Sequence, residues 1–395
     1  MDKHMLHKYL RCAGLLLATG ATTAAYAHEF EFELFTGSNS NPNKLSDGFD
    51  VEAAPYGFAG FKLSHMPVRT GFYYDLDAKG TFYLSDDDAV SDPQFGDESR
   101  GELELGFKWR PRFKYGRARF KWELYGGARD STYVFRNTGQ TAMRDLDNDG
   151  IDEDLSDRFD YTWSGFKTDV TIPISEEADF LFDLEVERRE YELFEFPNIS
   201  NLNYQQAYAN LGFEKWIWPR TALKTMIGGG LRVYEDRRAK DVNDGSDIPG
   251  TELEYAFLEV ENTLEYLITD RWKWQAGFEV QQRQDNEDGY YDATEGEIFM
   301  RFRYRNRDAV RFLLSIAYSK REYDNIDQDP TLLDEEMKER QGYRARAELS
   351  RAILENSPLH MDVVIGVEAR SYKNSNPNFT YDESQAYLGF RWRPF

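Results

Sequence analysis

Apolar and polar residues alternate one for one along most of the chain. Near the start, Phe30, Phe32 and Leu34 alternate with Glu29, Glu31 and Glu33. Leu103, Leu105, Phe107 and Trp109 alternate with Glu102, Glu104, Gly106 and Lys108. Ile298, Met300, Phe302 and Tyr304 alternate with Glu297, Phe299, Arg301 and Arg303, and Met361, Val363, Ile365 and Val367 repeat the pattern. A period of two places successive side chains on opposite faces of a β-strand. Helical spacing is scarce. The pattern predicts sixteen strands, with fourteen and eighteen as bounds, at 28–35, 56–64, 71–84, 98–110, 117–135, 159–172, 179–194, 204–216, 221–235, 252–268, 272–285, 292–305, 310–322, 341–354, 359–372 and 382–393. Each has an apolar face and a charged or small face.

Proline gives an independent check, because it cannot donate to a sheet ladder. Twelve of the thirteen prolines fall outside these strands, and Pro394 stands one residue from the chain end. Those connections alternate short and long. Short ones surround Pro67, Pro111, Pro173, Pro219, Thr269-Asp270, Asn306-Arg307 and Pro358. Long ones cover 36–55, 85–97, 136–158, 195–203, 236–251, 286–291, 323–340 and 373–381. An even strand number with both termini on the short-turn side is the rule of a membrane-spanning antiparallel barrel, whose termini are periplasmic.

Composition sharpens this reading. The 395-residue chain is 30% charged and 15% aromatic, with no run of 18 apolar residues, so a bundle of membrane helices is excluded. So many aromatics also exclude a disordered chain. A net charge of −23 argues against a nucleic-acid partner. Residues 1–27 read as a signal peptide: Lys3, Lys8 and Arg11 precede the apolar run 12–25, and Ala25-Tyr26-Ala27 is a small-x-small cleavage site. Residues 28–395 then form one domain. The only cysteine, Cys12, lies in the leader, so the remaining chain has no disulfide or zinc–thiolate chemistry.

A soluble sandwich also alternates, but here Trp109, Trp216, Trp218, Trp272, Trp274 and Trp392 gather near short turns or the C-terminus. That distribution suits an aromatic girdle at a membrane interface. With the terminal Phe395, these features make the chain resemble Gram-negative outer-membrane β-barrels of the porin type. The resemblance is architectural and covers the whole chain after residue 27. It implies an outer-membrane location, contact with lipid and lipopolysaccharide, and delivery to the barrel-assembly machinery through Phe395. Phe395 departs from the usual pattern by falling one residue out of step with Leu388, Phe390 and Trp392. A homotrimer is compatible with the resemblance but is not readable, since an apolar exterior serves lipid and a neighbouring subunit alike.

Charge facing lipid at mid-membrane costs about 2–4 kcal/mol for Arg or Lys, so the charged faces must line the lumen. The candidate pore-lining residues are Lys108, Arg110, Arg117, Arg119, Lys121, Glu123, Arg301, Arg303, Arg305, Arg344, Arg346 and Glu348. Cross-strand ion pairing is the alternative role for each of them. The arginine rows suit anionic solutes; inward aromatics such as Tyr125, Tyr255, Phe257 and Tyr387 suit sugars. Both remain open.

The longest loop, 136–158, occupies the position of the third external loop, which in sixteen-stranded porins folds inward to narrow the pore. It contains Asp145-Leu146-Asp147-Asn148-Asp149-Gly150, the opening of a calcium loop. Asp145, Asp147, Asp149, the Ile151 carbonyl and Glu153 are the candidate Ca2+ ligands, although Ser156 stands where such a loop closes with Glu. A solvated acidic loop tip is the plainer reading. No cofactor is required.

The favoured function is therefore a channel for small polar or charged solutes. A polysaccharide or protein export barrel is the alternative, although the N-terminal helical repeats of such systems are lacking. A barrel enzyme needs a histidine near the outer rim, whereas His28, His65 and His360 all fall at the short-turn end.

Overall fold

The computed structural model describes residues 28–41, 53–68, 70–83, 98–132, 143–144, 153–155, 157–192, 202–243, 245–306, 310–325, 339–353, 361–375 and 380–393. Sixteen strands close into one antiparallel barrel in sequence order. They are β1 His28–Asn39, β2 Ala54–His65, β3 Gly71–Tyr83, β4 Glu98–Trp109, β5 Arg119–Ser131, β6 Tyr161–Pro173, β7 Ala178–Tyr191 and β8 Tyr204–Trp218. They continue as β9 Thr221–Tyr234, β10 Glu254–Leu267, β11 Trp272–Asp285, β12 Ala293–Arg305, β13 Val310–Tyr323, β14 Glu339–Ala352, β15 Met361–Asn374 and β16 Tyr381–Trp392. Most ends lie within two residues of the alternation pattern. β1 runs four residues further, and the β5 pattern overshoots its strand by four.

One parity holds around the whole circle. Glu31 lies opposite Lys62, Lys62 opposite Asp77, and Asp77 opposite Glu102. At the closing seam Glu33 lies opposite Arg391. The polar face is the concave one. On a closed cylinder, side chains two strands apart converge only on the inside. Tyr125 of β5 reaches Glu185 of β7 at 2.6 Å, and Tyr208 of β8 reaches Glu259 of β10 at 2.5 Å. Tyr387 of β16 reaches Glu348 of β14 at 3.0 Å.

The convex face carries the apolar set. Leu105 is 51% exposed, Ile298 58% and Leu388 53%, with Leu34, Phe213, Leu258 and Ile365 in the same condition. A surface this large and apolar suits lipid, because soluble monomers rarely expose contiguous patches beyond a few hundred Å². Aromatic side chains gather at the short-turn ends of the strands: Trp272 packs on Tyr304 at 4.7 Å, Trp109 on Phe120 at 5.1 Å and Phe30 on Trp392 at 5.5 Å between ring centres.

Two local expectations need correction. Pro55 and Pro173 lie inside strands, opposite Ser38 and Asp179, but as the second residue of β2 and the last of β6, where a missing donor costs least. Arg110 and Arg117 lie outside the barrel strands. Pro111 ends β4, and Arg112–Phe113 pairs with Gly116–Arg117 in a small hairpin of its own. The β8–β9 turn is only Pro219 and Arg220, and Arg220 takes the left-handed φ of 69° that so tight a reversal requires. The leader 1–27 and the terminal Phe395 lie outside the described residues.

Candidate functional site

The inner face is the candidate site, and much of its charge is paired within the wall. Around β14, β15, β16 and β1, Arg346 donates to Glu348 at 2.7 Å and Arg370 to Glu368 at 2.7 Å. Arg391 bonds Glu33 and also reaches Glu348 at 3.5 Å. Arg393 bonds Glu31 and, at 3.2 Å, Asp362. This network bridges the seam, where eight residue pairs join β1 to β16. Beside it, a recess of about 470 Å³ is lined by Glu33, Lys62, Arg346, Glu368 and Arg391.

A second paired wall spans β5 to β7. Lys121 bonds Glu123, which is only 3% exposed. Lys167 reaches Glu185 at 3.5 Å. On the β2–β3 side Lys62 meets Asp75 at 2.8 Å.

Tyrosine, glycine and glutamate recur together on these walls. Tyr387 of β16 lies across Gly366 of β15 and donates to Glu348 of β14. Tyr125 crosses Gly165 to Glu185, and Tyr208 crosses Gly230 to Glu259. Tyr73 crosses Gly106 and donates to the Trp122 carbonyl at 3.4 Å. A Cβ at any of these glycines would collide with the ring, so glycine is what lets the tyrosine lie flat. Tyr125 and Tyr387, expected as inward aromatics, do point inward. Their hydroxyls, however, are committed to carboxylates.

The β10–β14 wall differs. Glu261, Glu279 and Glu297 stand directly opposite one another on β10, β11 and β12, an arrangement that like charges disfavour. Four residues along β12 from Glu297 the sign reverses, with Arg301, Arg303 and Arg305. Arg301 lies over the Phe299 ring at 5.0 Å. Among the described residues, Arg301, Arg303, Arg305 and Arg344 have no carboxylate within ion-pair distance, whereas Arg311 has Asp362 at 3.8 Å.

The sequence-derived lining thus divides into groups. Arg119, Lys121, Glu123, Arg301, Arg303, Arg305, Arg344, Arg346 and Glu348 share the inner parity of their strands. Arg119 donates to the Thr171 hydroxyl at 3.1 Å. Lys108 has that parity as well, but its ammonium turns to the Pro67 carbonyl at 3.1 Å. Arg110 donates to the Val68 carbonyl at 3.0 Å from the β4–β5 turn, and Arg117 belongs to the turn hairpin. Of the candidate calcium ligands, Asp145, Asp147, Asp149 and Ile151 lie outside the described residues. Glu153 is described only in its backbone pairing with Arg144. Among the described residues no cluster of His, Asp and Glu could hold a metal.

A further set of inner residues, of which only Tyr255 was singled out from the sequence, gathers at one end of the barrel. At the long-loop ends of the strands stand Tyr161, Tyr191, Tyr204, Tyr234, Tyr255 and Tyr323. Arginines lie between their rings: Arg189 over Tyr161 at 4.5 Å, Arg232 over Tyr204 at 4.5 Å and Arg283 over Tyr255 at 4.6 Å. The signal was present, as tyrosines at the inner parity near one end of successive strands. Tyr255 is only 2% exposed and Tyr291 of the β11–β12 connection 1%, so this collar is packed rather than bare.

Outside the strands, carboxylates crowd the rim of β5–β7. Burial, reinforced by Asp130, Asp157 and Glu192, pushes the Asp160 carboxyl up to about 7, against the opposing hydrogen bond from the Ser131 amide. That bond measures 2.7 Å. Burial likewise raises Asp292 in the β11–β12 connection.

No family model matches the chain, and no curated protein does. Solved structures of similar course do exist. OccAB3 of Acinetobacter baumannii has 12% identity and a TM-score of 0.42 over 93% of this chain and 99% of its own. A BenF-like porin from Pseudomonas fluorescens Pf-5 has 11% identity and a TM-score of 0.45 over 93% and 98%. OccK2 (OpdF) of Pseudomonas aeruginosa, solved in complex with glucuronate, has 11% identity and a TM-score of 0.42 over 93% and 98%. Likeness at this level extends to general architecture, and the chemistry of the site rests on this chain's own residues.

Proposed function

We propose that the protein is an outer-membrane channel through which small polar or charged solutes diffuse. The observation that carries this reading is the division of faces. Most outward residues are apolar or small and most inward ones charged, amide, hydroxyl or aromatic, with Leu181, Met226, Leu313 and Val364 as inward apolar exceptions. A closed barrel of 16 to 18 strands leaves an aqueous channel unless something fills it. The short-turn side, with both termini, faces the periplasm in this reading.

Charge pairing separates two kinds of wall within such a channel. Paired groups hold the wall rigid and present little net charge. Arg301, Arg303, Arg305 and Arg344 keep charge available to a passing solute, as do the carboxylates of Glu279 and Glu297. Rings and rows of charged side chains are the ordinary means of ion selectivity.

Liposome swelling tests the reading. Vesicles carrying the folded protein should swell in isotonic solutions of small sugars and small organic ions. A protein with the heat-modifiable gel mobility of a folded barrel that admits none of them contradicts it.

A further inference from the structure

Inner-face side chains at a barrel mouth would ordinarily meet water. Those at the long-loop ends of β8 to β13 do not. Tyr204, Tyr234, Tyr255 and Tyr323 are buried together with Ala239, Leu253, Tyr290 and Tyr291 of the neighbouring connections. Because the four strand tyrosines point into the barrel, whatever buries them lies on the inside. Two connections do so.

The first is the β11–β12 connection. The Tyr291 carbonyl accepts from Arg283 Nε at 3.0 Å, and its ring meets Tyr255 edge-on at 6.0 Å. The Asp285 carboxylate holds it in place by accepting from the amides of Gly289 at 2.8 Å and Tyr291 at 2.7 Å.

The second is the β9–β10 connection, 235–253, which continues the strand pair as a hairpin. The Leu253 amide donates to the Arg237 carbonyl at 2.7 Å and the Ile248 amide to the Ala239 carbonyl at 2.9 Å. Lys240 and Asp247 form an isolated bridge. The hairpin lies on the tyrosines. Arg237 donates to the Tyr291 hydroxyl at 2.9 Å and Lys240 lies over the Tyr290 ring at 5.6 Å. At its tip a Cβ on Gly245 would stand 3.2 Å from the Tyr290 hydroxyl.

We propose that the 235–253 hairpin, seated by Tyr290 and Tyr291 on the inner-face tyrosine collar, is the element that limits solute size at the mouth of this barrel. The proposal rests on the channel reading above. A hairpin with its own backbone bonds and two fully buried apolar anchors, Ala239 and Leu253, holds its position as a fixed sill.

The test replaces residues 239–250 with Asn-Gly, a two-residue sequence suited to closing a hairpin. Single-channel conductance and the swelling cut-off for a series of sugars are then compared with the wild type. Conduction follows pore dimensions, so conductance should rise roughly twofold or more and larger sugars should enter. A wild type that conducts, with a replacement that neither conducts more nor admits more, overturns the proposal and leaves the channel standing. Folded but silent proteins in both cases overturn both. A second variant leaves the hairpin intact: Asn243→Cys in a Cys12→Ser background, modified in the bilayer with a bulky maleimide. Asn243 is exposed next to the tip. Modification should cut the current in steps, and an unchanged current in fully labelled protein overturns the proposal.

Discussion

Gly366 carries a requirement that its strand position alone would hide. The Tyr387 ring occupies the space a Cβ would take and bonds Glu348, which in turn holds Arg346 and reaches Arg391. Gly366→Ala should therefore displace the ring and cost about 1–3 kcal/mol, the usual penalty of overpacking. Tyr387→Phe keeps the ring and loses one hydrogen bond, at about 1 kcal/mol. Urea titration followed by tryptophan fluorescence would rank them, with Gly366→Ala the more damaging. The arginines with no carboxylate at ion-pair distance among the described residues should act on transport instead. Arg303→Ala and Arg344→Ala each remove a positive charge from the inner wall, so the reversal potential in a salt gradient should shift toward cations. Arg346→Ala should shift it less, because Glu348 already offsets that charge. Equal shifts from all three would contradict the division into paired and unpaired walls.

At the scale of elements, the rim of β5–β7 is set by Asp160. Its carboxyl titrates near neutrality, above the ordinary carboxylate range. A raised value means that the compact rim is favoured while the group is protonated. That contribution is full below about pH 4, the ordinary aspartate range. It is lost as the pH rises through about 7. Hydrogen exchange at the Glu192 amide, which donates to the Asp160 backbone carbonyl at 3.0 Å, corrected for intrinsic rate, should thus slow on going from pH 8 to pH 5. Asp160→Asn should remove that dependence, and an identical pH profile in the variant would contradict the assignment. The strands themselves were legible in the sequence, because lipid outside and water inside impose a period of two on every crossing. The β4–β5 turn was less so. Arg110 and Arg117 keep the alternation, and only the self-pairing of Arg112–Phe113 with Gly116–Arg117 removes them from the wall.

For the whole molecule, the sequence could state which residues face inward but not which charges neutralise one another. Pairing depends on register between strands and on contacts such as Arg391 to Glu348, which skip a strand. It also depends on side chains two apart on one strand, such as Arg346 and Glu348. The collar was hidden for a related reason. Tyr255 reads as an inward aromatic, whereas Tyr204 and Tyr323 were not singled out, and only the fold of the connections above them shows that all three are covered. The barrel is closed at its seam by both ladder and charge, with Arg391 and Arg393 of the C-terminal segment bound to Glu33 and Glu31 of β1.

The most direct test of the account is single-channel recording of the folded protein in a planar lipid bilayer. The account predicts discrete, long-lived conductance steps, with a reversal potential in a salt gradient that moves when Arg303 or Arg344 is replaced by alanine. A folded, inserted barrel that gives no steps, or steps whose selectivity ignores both residues, would contradict it.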